Sequence, residues 1–98
     1  MGFAKDPIEL SRTKKMNKEE IALALRDDLE AELDAANLYL EQAELIDDEQ
    51  VKATLLEVAK EEKVHFGEFL TLLKKYDQEL TGAISDGEKE VSEKAKRA

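Results

Sequence analysis

Two long stretches of helical periodicity, separated only by a pair of aspartates, dominate this sequence. The first stretch runs from about residue 17 to residue 46, and the second from about residue 49 to residue 76. Apolar residues recur in both at intervals of three and four, and no alternating strand pattern appears. A very short connection between two long helices predicts an antiparallel helical hairpin in an all-α fold.

The ends of both predicted helices carry capping signals. Asn17 can cap the first helix, and Glu20 stands at the matching position of a capping box three residues later. Asp47 and Asp48 form the break, and either can cap the second helix. Local sequence therefore supports both helix starts independently of the apolar pattern.

The hairpin accounts for the middle of the chain and leaves two flanking segments. We predict an N-terminal arm over residues 1–16, a two-helix domain over 17–76 and a C-terminal linker or short helix over 77–98. An arm is favoured because the first segment shows no sustained period.

The C-terminal segment contains the elements of a short third helix. Gly82 and Gly87 interrupt it, and Ser85 with Glu88 could open a helix over roughly residues 86–96. Because this segment has few apolar residues, we expect it to dock loosely, to be ordered against a neighbouring subunit, or to serve as a linker.

Composition limits the classes of protein that this chain can represent. It has no cysteine, which excludes disulfides, zinc ribbons and rubredoxin-type iron sites. The net charge of −9 argues against nucleic acid as the main partner, since phosphate binding needs a basic surface. No run approaches the roughly 18 apolar residues of a membrane span, and nothing resembles a signal peptide. We therefore expect a cytoplasmic protein that does not bind membranes.

A hairpin alone is a marginal fold at this size. Two helices bury a single seam of apolar residues, and only part of the 98-residue chain contributes to that seam. The buried apolar surface is therefore too small for a stable monomer. Dimerisation of two hairpins into a four-helix bundle is the simplest remedy.

Each apolar stripe contains a carboxylate near its centre. At about 100° per residue, with Ile21 as zero, Glu32 lies at about 20° and Tyr39 at about 0°. With Val51 as zero, Glu62 lies at about 20° and His65 at about −40°. An ionised carboxylate in an apolar face is costly unless it is paired or binds a metal.

The hairpin brings these carboxylates to the same height. Glu32 precedes Asp47 by 15 residues and Glu62 follows it by 15, which places both about 22 Å from the turn. His65 lies one turn beyond Glu62 on the same side. One hairpin thus offers half of a dinuclear carboxylate site, and a two-fold dimer would complete it. The oxygen-rich ligand set suits iron or manganese.

Other interpretations of these residues stay open. A glutamate three residues before a histidine is common by chance in so acidic a chain, and a single histidine is often a satisfied core residue. Tyr39 could hydrogen-bond a ligand or simply be a core aromatic. Asp34 and Asp28 could help metal to reach the site, although a solvated acidic face is the more ordinary interpretation.

The segments AELDAANLYLEQA (31–43) and AKEEKVHFGEF (59–69) resemble the encapsulated ferritins, the two-helix members of the ferritin-like superfamily that work inside encapsulin shells. The resemblance covers both long helices and the tight junction between them. It implies that Glu32, Glu62 and His65 are ferroxidase ligands for two iron ions shared across a subunit interface. It implies that Tyr39 lies near this site and that Asp34 matches an acidic position on the route by which metal enters.

The resemblance also has implications for assembly and location. It implies a homodecameric ring built from five dimers, enclosed by an encapsulin shell protein whose lumen stores the iron. The chain would then lie in the cytoplasm, inside an encapsulin nanocompartment.

Three functions follow from these observations. The first is a ferroxidase that oxidises Fe(II) to Fe(III) with O₂ and supplies iron for storage in the shell. The second is a rubrerythrin-like di-iron peroxidase, which would need a separate electron donor because the chain has no cysteine. The third is a non-enzymatic helical oligomerisation module with structural buried acids.

Overall fold

Three helices make up the part of the protein that the structure, a computed structural model, describes, which is residues 14–97. They are α1 (Lys18–Glu44), α2 (Glu49–Leu73) and α3 (Gln78–Arg97), and these described residues contain no strand. Residues 1–13 of the predicted arm lie outside the described residues. The all-helical prediction is confirmed, and the two long helices end two to three residues earlier than their periodicity suggests.

The start of each hairpin helix is fixed by the predicted caps. Asn17 Oδ1 accepts from the Glu20 amide at 2.8 Å, and Glu20 Oε1 accepts from the Asn17 amide at 3.1 Å. Asp48 Oδ1 accepts from the amides of Gln50 and Val51 at 3.0 and 3.1 Å. These bonds satisfy amide groups that the first helical turn leaves without partners. Of the two candidate aspartates in the break, Asp48 is therefore the cap.

Contact between α1 and α2 depends on small residues. The fully buried side chains of the described chain are four alanines and one leucine: Ala22, Ala36, Ala43, Ala59 and Leu73. Most larger apolar residues of the two stripes, including Leu25, Leu29, Phe66 and Phe69, are only half-buried. The alanines let the two backbones approach closely, but the hairpin does not close a core of its own. One side of its apolar surface is left uncovered.

The third helix differs from the prediction. The sequence predicts that it starts near Asp86, after a capping box formed by Ser85 and Glu88, but α3 begins at Gln78. Asp77 caps it, because Asp77 Oδ1 accepts from the Leu80 amide at 2.9 Å. Both glycines of the segment lie inside α3 with ordinary negative φ angles. A single glycine costs a helix only about 1 kcal/mol, which does not suffice to end it.

One ion pair ties the start of α3 to the hairpin. Arg26 Nη1 on α1 lies 2.7 Å from Asp77 Oδ2. Asp77 therefore caps α3 through Oδ1 and forms an ion pair with α1 through Oδ2. Beyond this joint α3 projects away, none of its own residues is buried, and helix-to-helix packing among the described residues is confined to α1 and α2. The radius of gyration of 17.4 Å exceeds the roughly 13 Å of a compact domain of this length.

Candidate metal centre

Two helices supply the three side chains of the candidate site. Glu32 lies midway along α1, while Glu62 and His65 lie one turn apart on α2. Because α1 and α2 are antiparallel and meet at a short turn, residues at equal distances from the turn lie side by side. The structure therefore brings together the three residues that the register predicts.

The three side chains present their polar atoms to one another at short range. His65 Nδ1 lies 3.4 Å from Glu32 Oε2 and 3.5 Å from Glu62 Oε2. One ligand atom from each residue can be chosen so that all lie within 4.8 Å of one another. A single ion of suitable size could therefore contact all three without a change in the backbone.

The carboxylates are sheltered from solvent and incompletely satisfied. The side chains of Glu32 and Glu62 are 16% and 18% exposed, whereas that of His65 is 45% exposed. Glu32 Oε2 is buried and has no hydrogen-bond partner, since its contact with His65 lacks hydrogen-bond geometry. Buried polar atoms in folded proteins are usually bonded, so this oxygen calls for a partner that the isolated chain does not supply.

The electrostatics of the cluster favour protonation when no cation is bound. Burial and the adjacent Glu62 carboxyl raise the pKa of Glu32, although His65 opposes them. Burial lowers the pKa of His65, but the adjacent carboxylates of Glu32 and Glu62 favour its charged form more strongly, so the net shift is upward. Both shifts therefore favour protonation of the cluster, and a divalent cation would compensate its crowded negative charge more completely.

The donor set fits a hard divalent ion. Two carboxylates and one imidazole nitrogen suit iron(II) or manganese(II). The unsatisfied Glu32 Oε2 is a ligand atom already removed from water. Three protein ligands leave much of an octahedral shell open, and the exposed flank of His65 shows where further groups could approach.

The other predicted site residues lie apart from this cluster. Tyr39 is half-buried two turns beyond Glu32 on α1, and its hydroxyl makes no hydrogen bond to any described residue. Asp34 is exposed on α1 and is not among the grouped ligands. The roles of both residues remain predictions.

The sequence does not predict two features of the structure, the partial burial of Asp28 and the joint between Arg26 and Asp77. Asp28, one turn before Glu32, is half-buried, and burial together with the charge of Asp27 raises its pKa. Its position at the edge of the α1 stripe was the available signal. The joint between Arg26 and Asp77 was also missed, although an aspartate directly after the second stripe is a common helix cap.

Comparison with known proteins gives concordant matches. The protein family described as Rubrerythrin matches residues 24–97. The chain is 44% identical over 88 residues to a ferritin-like–encapsulin shell fusion protein of Pyrococcus furiosus, across 90% of this chain and 26% of that protein. It is 41% identical over 66 residues to the encapsulin nanocompartment cargo protein EncC of Myxococcus xanthus, across 67% of this chain and 51% of that protein. The chain thus spans only about a quarter and a half of these two relatives.

A solved structure matches along nearly the whole chain. The crystal structure of the encapsulated ferritin domain from Pyrococcus furiosus superposes with a TM-score of 0.85 at 43% sequence identity. The superposition covers 94% of each chain, so the projecting α3 belongs to the shared architecture along with the hairpin.

Proposed function

We propose that this chain, which belongs to the rubrerythrin family as an encapsulated ferritin-like domain, is a ferroxidase that oxidises iron(II) to iron(III) with O₂. The resemblance noted from the two helical segments is thereby confirmed at the level of the family. The reaction, the shared site and the assembly are proposals, and each rests on features of the described residues.

The observation that carries the proposal is the cluster around Glu32. Three potential ligands lie within 4.8 Å of one another, and one buried carboxylate oxygen has no partner. A purely structural module would gain stability by replacing such an atom with an apolar group. A binding site for a divalent cation explains why the oxygen is buried and left without a partner.

A second copy of the chain would complete both the site and the core. The apolar surface of the hairpin is only half-buried, and Glu32, Glu62 and His65 supply too few ligands for two ions. Two hairpins related by a two-fold axis would contribute four glutamates and two histidines, the set found in dinuclear sites of four-helix bundles. Assembly and metal binding are thus coupled in this proposal.

Iron(II) is the substrate, and each residue has a stated role. Glu32 and its symmetry mate would bridge the two ions, Glu62 would bind terminally or bridge, and His65 would supply a terminal nitrogen. Two iron(II) ions lose one electron each, and O₂ accepts both electrons with two protons to form hydrogen peroxide. The raised pKa values of Glu32 and His65 favour the protonated forms of these ligands, so iron(II), which binds the deprotonated forms, competes with protons for the cluster.

The relatives suggest where the product goes. One is a fusion of a ferritin-like domain to an encapsulin shell, and another is an encapsulin cargo protein. We propose that this chain also works as a homo-oligomer, a decameric ring of dimers, inside an encapsulin nanocompartment in the cytoplasm. The open, elongated fold encloses no cavity for mineral among its described residues, so iron(III) would pass to the lumen of the shell. Within residues 14–97, none of the three helices combines the length and the apolar character that a membrane span requires.

Aerobic oxidation of iron(II), followed by absorbance, tests the proposed function. The wild-type chain should oxidise iron rapidly and saturate near one ion per chain in a single turnover, whereas His65→Ala and Glu62→Gln should not. Glu61→Gln is the matched control, because this neighbouring glutamate is exposed and outside the cluster. Oxidation no faster than in buffer by an assembled wild-type sample would refute the ferroxidase. Peroxide consumption that needs an added reductant would favour the rubrerythrin-like peroxidase.

A further inference from the structure

The junction between α2 and α3 contains nothing that normally ends a helix. Helix α2 ends at Leu73 and α3 begins at Gln78, and the four residues between them, 74–77, include neither proline nor glycine. No described residue has a positive φ angle, and Lys74 is itself helical with φ −57° and ψ −23°. The sequence and backbone of the junction therefore permit one continuous helix over residues 49–97.

The backbone hydrogen bonds depart from the helical pattern over only about one turn. The amide of Asp77 still donates to the carbonyl four residues back, at 2.9 Å. The amides of Lys75 and Tyr76 donate to the carbonyls three residues back, at 3.1 and 2.9 Å, so the chain is wound more tightly there than in an α-helix. The helical pattern resumes at Thr81, whose amide donates to the carbonyl of Asp77 at 3.2 Å. The junction is thus a tightened turn and not a loop.

Asp77 supplies the acceptor that interrupts the helix. In a continuous helix the amide of Leu80 would donate to the carbonyl of Tyr76, four residues back. It donates instead to Asp77 Oδ1, at 2.9 Å. Aspartate side chains compete with backbone carbonyls for amides in this way. Because Asp77 Oδ2 lies 2.7 Å from Arg26 Nη1, the carboxylate that interrupts the helix is itself held by α1.

Packing adds little to this joint. No residue of α3 is buried, and Leu80 and Ile84 in its first two turns are only half-buried. On the inner side of the bend an open groove, lined by Ala22, Tyr76 and Leu80 among others, separates α1 from α3. One capping bond and one partly exposed ion pair therefore oppose the backbone hydrogen bonds that a straight helix would regain.

The bend strongly affects the reach of α3. A continuous helix over residues 49–97 would be about 73 Å long. The molecule measures 50 × 46 × 18 Å, so it has no room for such a helix. Straightening would move the last turn of α3 away from the hairpin by about 20 Å or more.

We propose that α2 and α3 are two halves of one helix, held bent by the ion pair between Arg26 and Asp77, and that the ratio of bent to straight chains follows the strength of that pair. The Arg26 side chain is 44% exposed, so salt weakens its attraction to Asp77. Rising ionic strength therefore moves α3 from its position beside the hairpin into line with α2. This inference does not depend on the metal centre.

Distances between two spin labels measure the bend directly, because the chain has no cysteine of its own. Full-length Glu57→Cys/Lys89→Cys is labelled at these two exposed sites and diluted with excess unlabelled chain, so that only distances within one chain are recorded. A continuous helix would place the sites about 48 Å apart, and the bent chain should give a single shorter distance. Arg26→Glu should add a narrow peak at the longer distance and lower the ratio of bent to straight chains at least about fivefold, since attraction becomes repulsion.

Matched variants and a second label pair serve as controls. Arg26→Lys keeps the ion pair, and Arg97→Glu makes the same charge change in an exposed pair on α3, so both should keep the shorter distance. Labels at Glu30→Cys and Glu57→Cys lie within the hairpin and should give the same distance in every background if the hairpin is folded. Only the shorter distance in a folded Arg26→Glu chain, or a broad distribution from a detached α3, would overturn the proposal.

The response to salt gives an independent signature of the pair. Raising the salt from about 0.02 M to about 0.5 M screens the attraction between Arg26 and Asp77, so the peak of the straight form should grow in wild type. The same change screens the repulsion in Arg26→Glu, so that peak should shrink. Salt responses of the same sign in both proteins would refute the ion pair as the group that controls the bend.

Discussion

His65 Nδ1 and Glu32 Oε2 lie 3.4 Å apart, although the two residues belong to different helices and are separated by the whole hairpin turn. This contact joins the sequence signals that are weak alone: a glutamate inside an apolar stripe and the single histidine of the chain. The distance is too long for a strong hydrogen bond and leaves Glu32 Oε2 without one. The two side chains converge without satisfying each other, as expected when a third group belongs between them.

The metal-free protein should lose stability as the pH rises. The pKa of Glu32 is raised above its ordinary value of 4.5 and that of His65 above 6.5, so the folded state binds protons more tightly than the unfolded state. Protonated Glu32 contributes to the free energy of unfolding, and this contribution is lost as the pH rises from about 4.5 through the pKa of Glu32 in the folded state. The corresponding contribution of protonated His65 is lost as the pH rises through the folded-state pKa of His65. Thermal unfolding should therefore occur at a higher temperature near pH 5 than near pH 8.

A substitution series identifies the groups responsible for that pH dependence. Glu32→Gln removes one titrating group and one of the charges that hold the proton on His65, so the unfolding temperature should vary less with pH. Glu30→Gln, which changes an exposed acid on the same helix, should leave the profile as in wild type. An unchanged profile in Glu32→Gln would show that the cluster does not control it.

Metal binding should stabilise the fold through Glu62. Manganese(II), which air does not oxidise readily, should raise the unfolding temperature of wild type, since a ligand at 100 times its Kd adds about 2.7 kcal/mol. Glu62→Gln should weaken manganese binding at least about tenfold. Removing even a residue that only hydrogen-bonds to a metal ligand lowers metal affinity by about that factor, and Glu62 is itself a proposed ligand. Glu61→Gln should bind as wild type does. Equal stabilisation of all three proteins by manganese would place the ion elsewhere.

The sequence predicts the hairpin and its caps because these depend on local chemistry. Asn17 and Asp48 cap helices through side chains that reach their own backbone, and the equal spacing of Glu32 and Glu62 from the turn fixes their pairing. Both features can be calculated from residue type and the helical rise of about 1.5 Å per residue.

Features that depend on surroundings were harder to predict. Helix α3 begins earlier than the sequence predicts because the cap at Asp77 outweighs the two glycines that follow it. The partial burial of Asp28 does not follow from its sequence position, because periodicity gives the direction of a side chain and not what covers it. What covers the open side of the hairpin depends on a second chain, which one sequence does not describe.

The joint at Asp77 should control how firmly the first turn of α3 is held. Asp77→Ala removes the cap at Leu80 and the ion pair with Arg26, a loss of about 1 kcal/mol for the cap and up to about 1 kcal/mol for the partly exposed pair. Amide exchange over residues 78–82 should accelerate at least about fivefold. Arg26→Gln should give a smaller acceleration, and Glu93→Gln, in an exposed pair with Arg97, should give none. Equal exchange in Asp77→Ala and wild type would mean that other contacts hold α3.

Replacing the glycines of α3 with alanine tests the stability of the helix separately from its contacts with other parts of the protein. An added Cβ meets nothing within 4 Å at Gly82 or at Gly87, and both residues have negative φ angles. Each change to alanine should therefore stabilise α3 by up to about 1 kcal/mol, measured as slower amide exchange along the helix. On a helical wheel Gly87 shares the apolar side of α3 with Ile84 and Val91, whereas Gly82 lies on the opposite side.

This difference makes the two substitutions a matched pair. Both should slow exchange equally if solvent surrounds α3 in the assembled protein. If another helix packs closely on the apolar side, Gly87→Ala should lower the oligomeric mass in sedimentation while Gly82→Ala leaves it unchanged. In the monomer both positions are open, because an added Cβ at either glycine meets nothing within 4 Å. At concentrations where the chain is monomeric we therefore expect Gly82→Ala and Gly87→Ala to slow amide exchange equally. Slower exchange for Gly82→Ala alone under those conditions would contradict the open environment of Gly87.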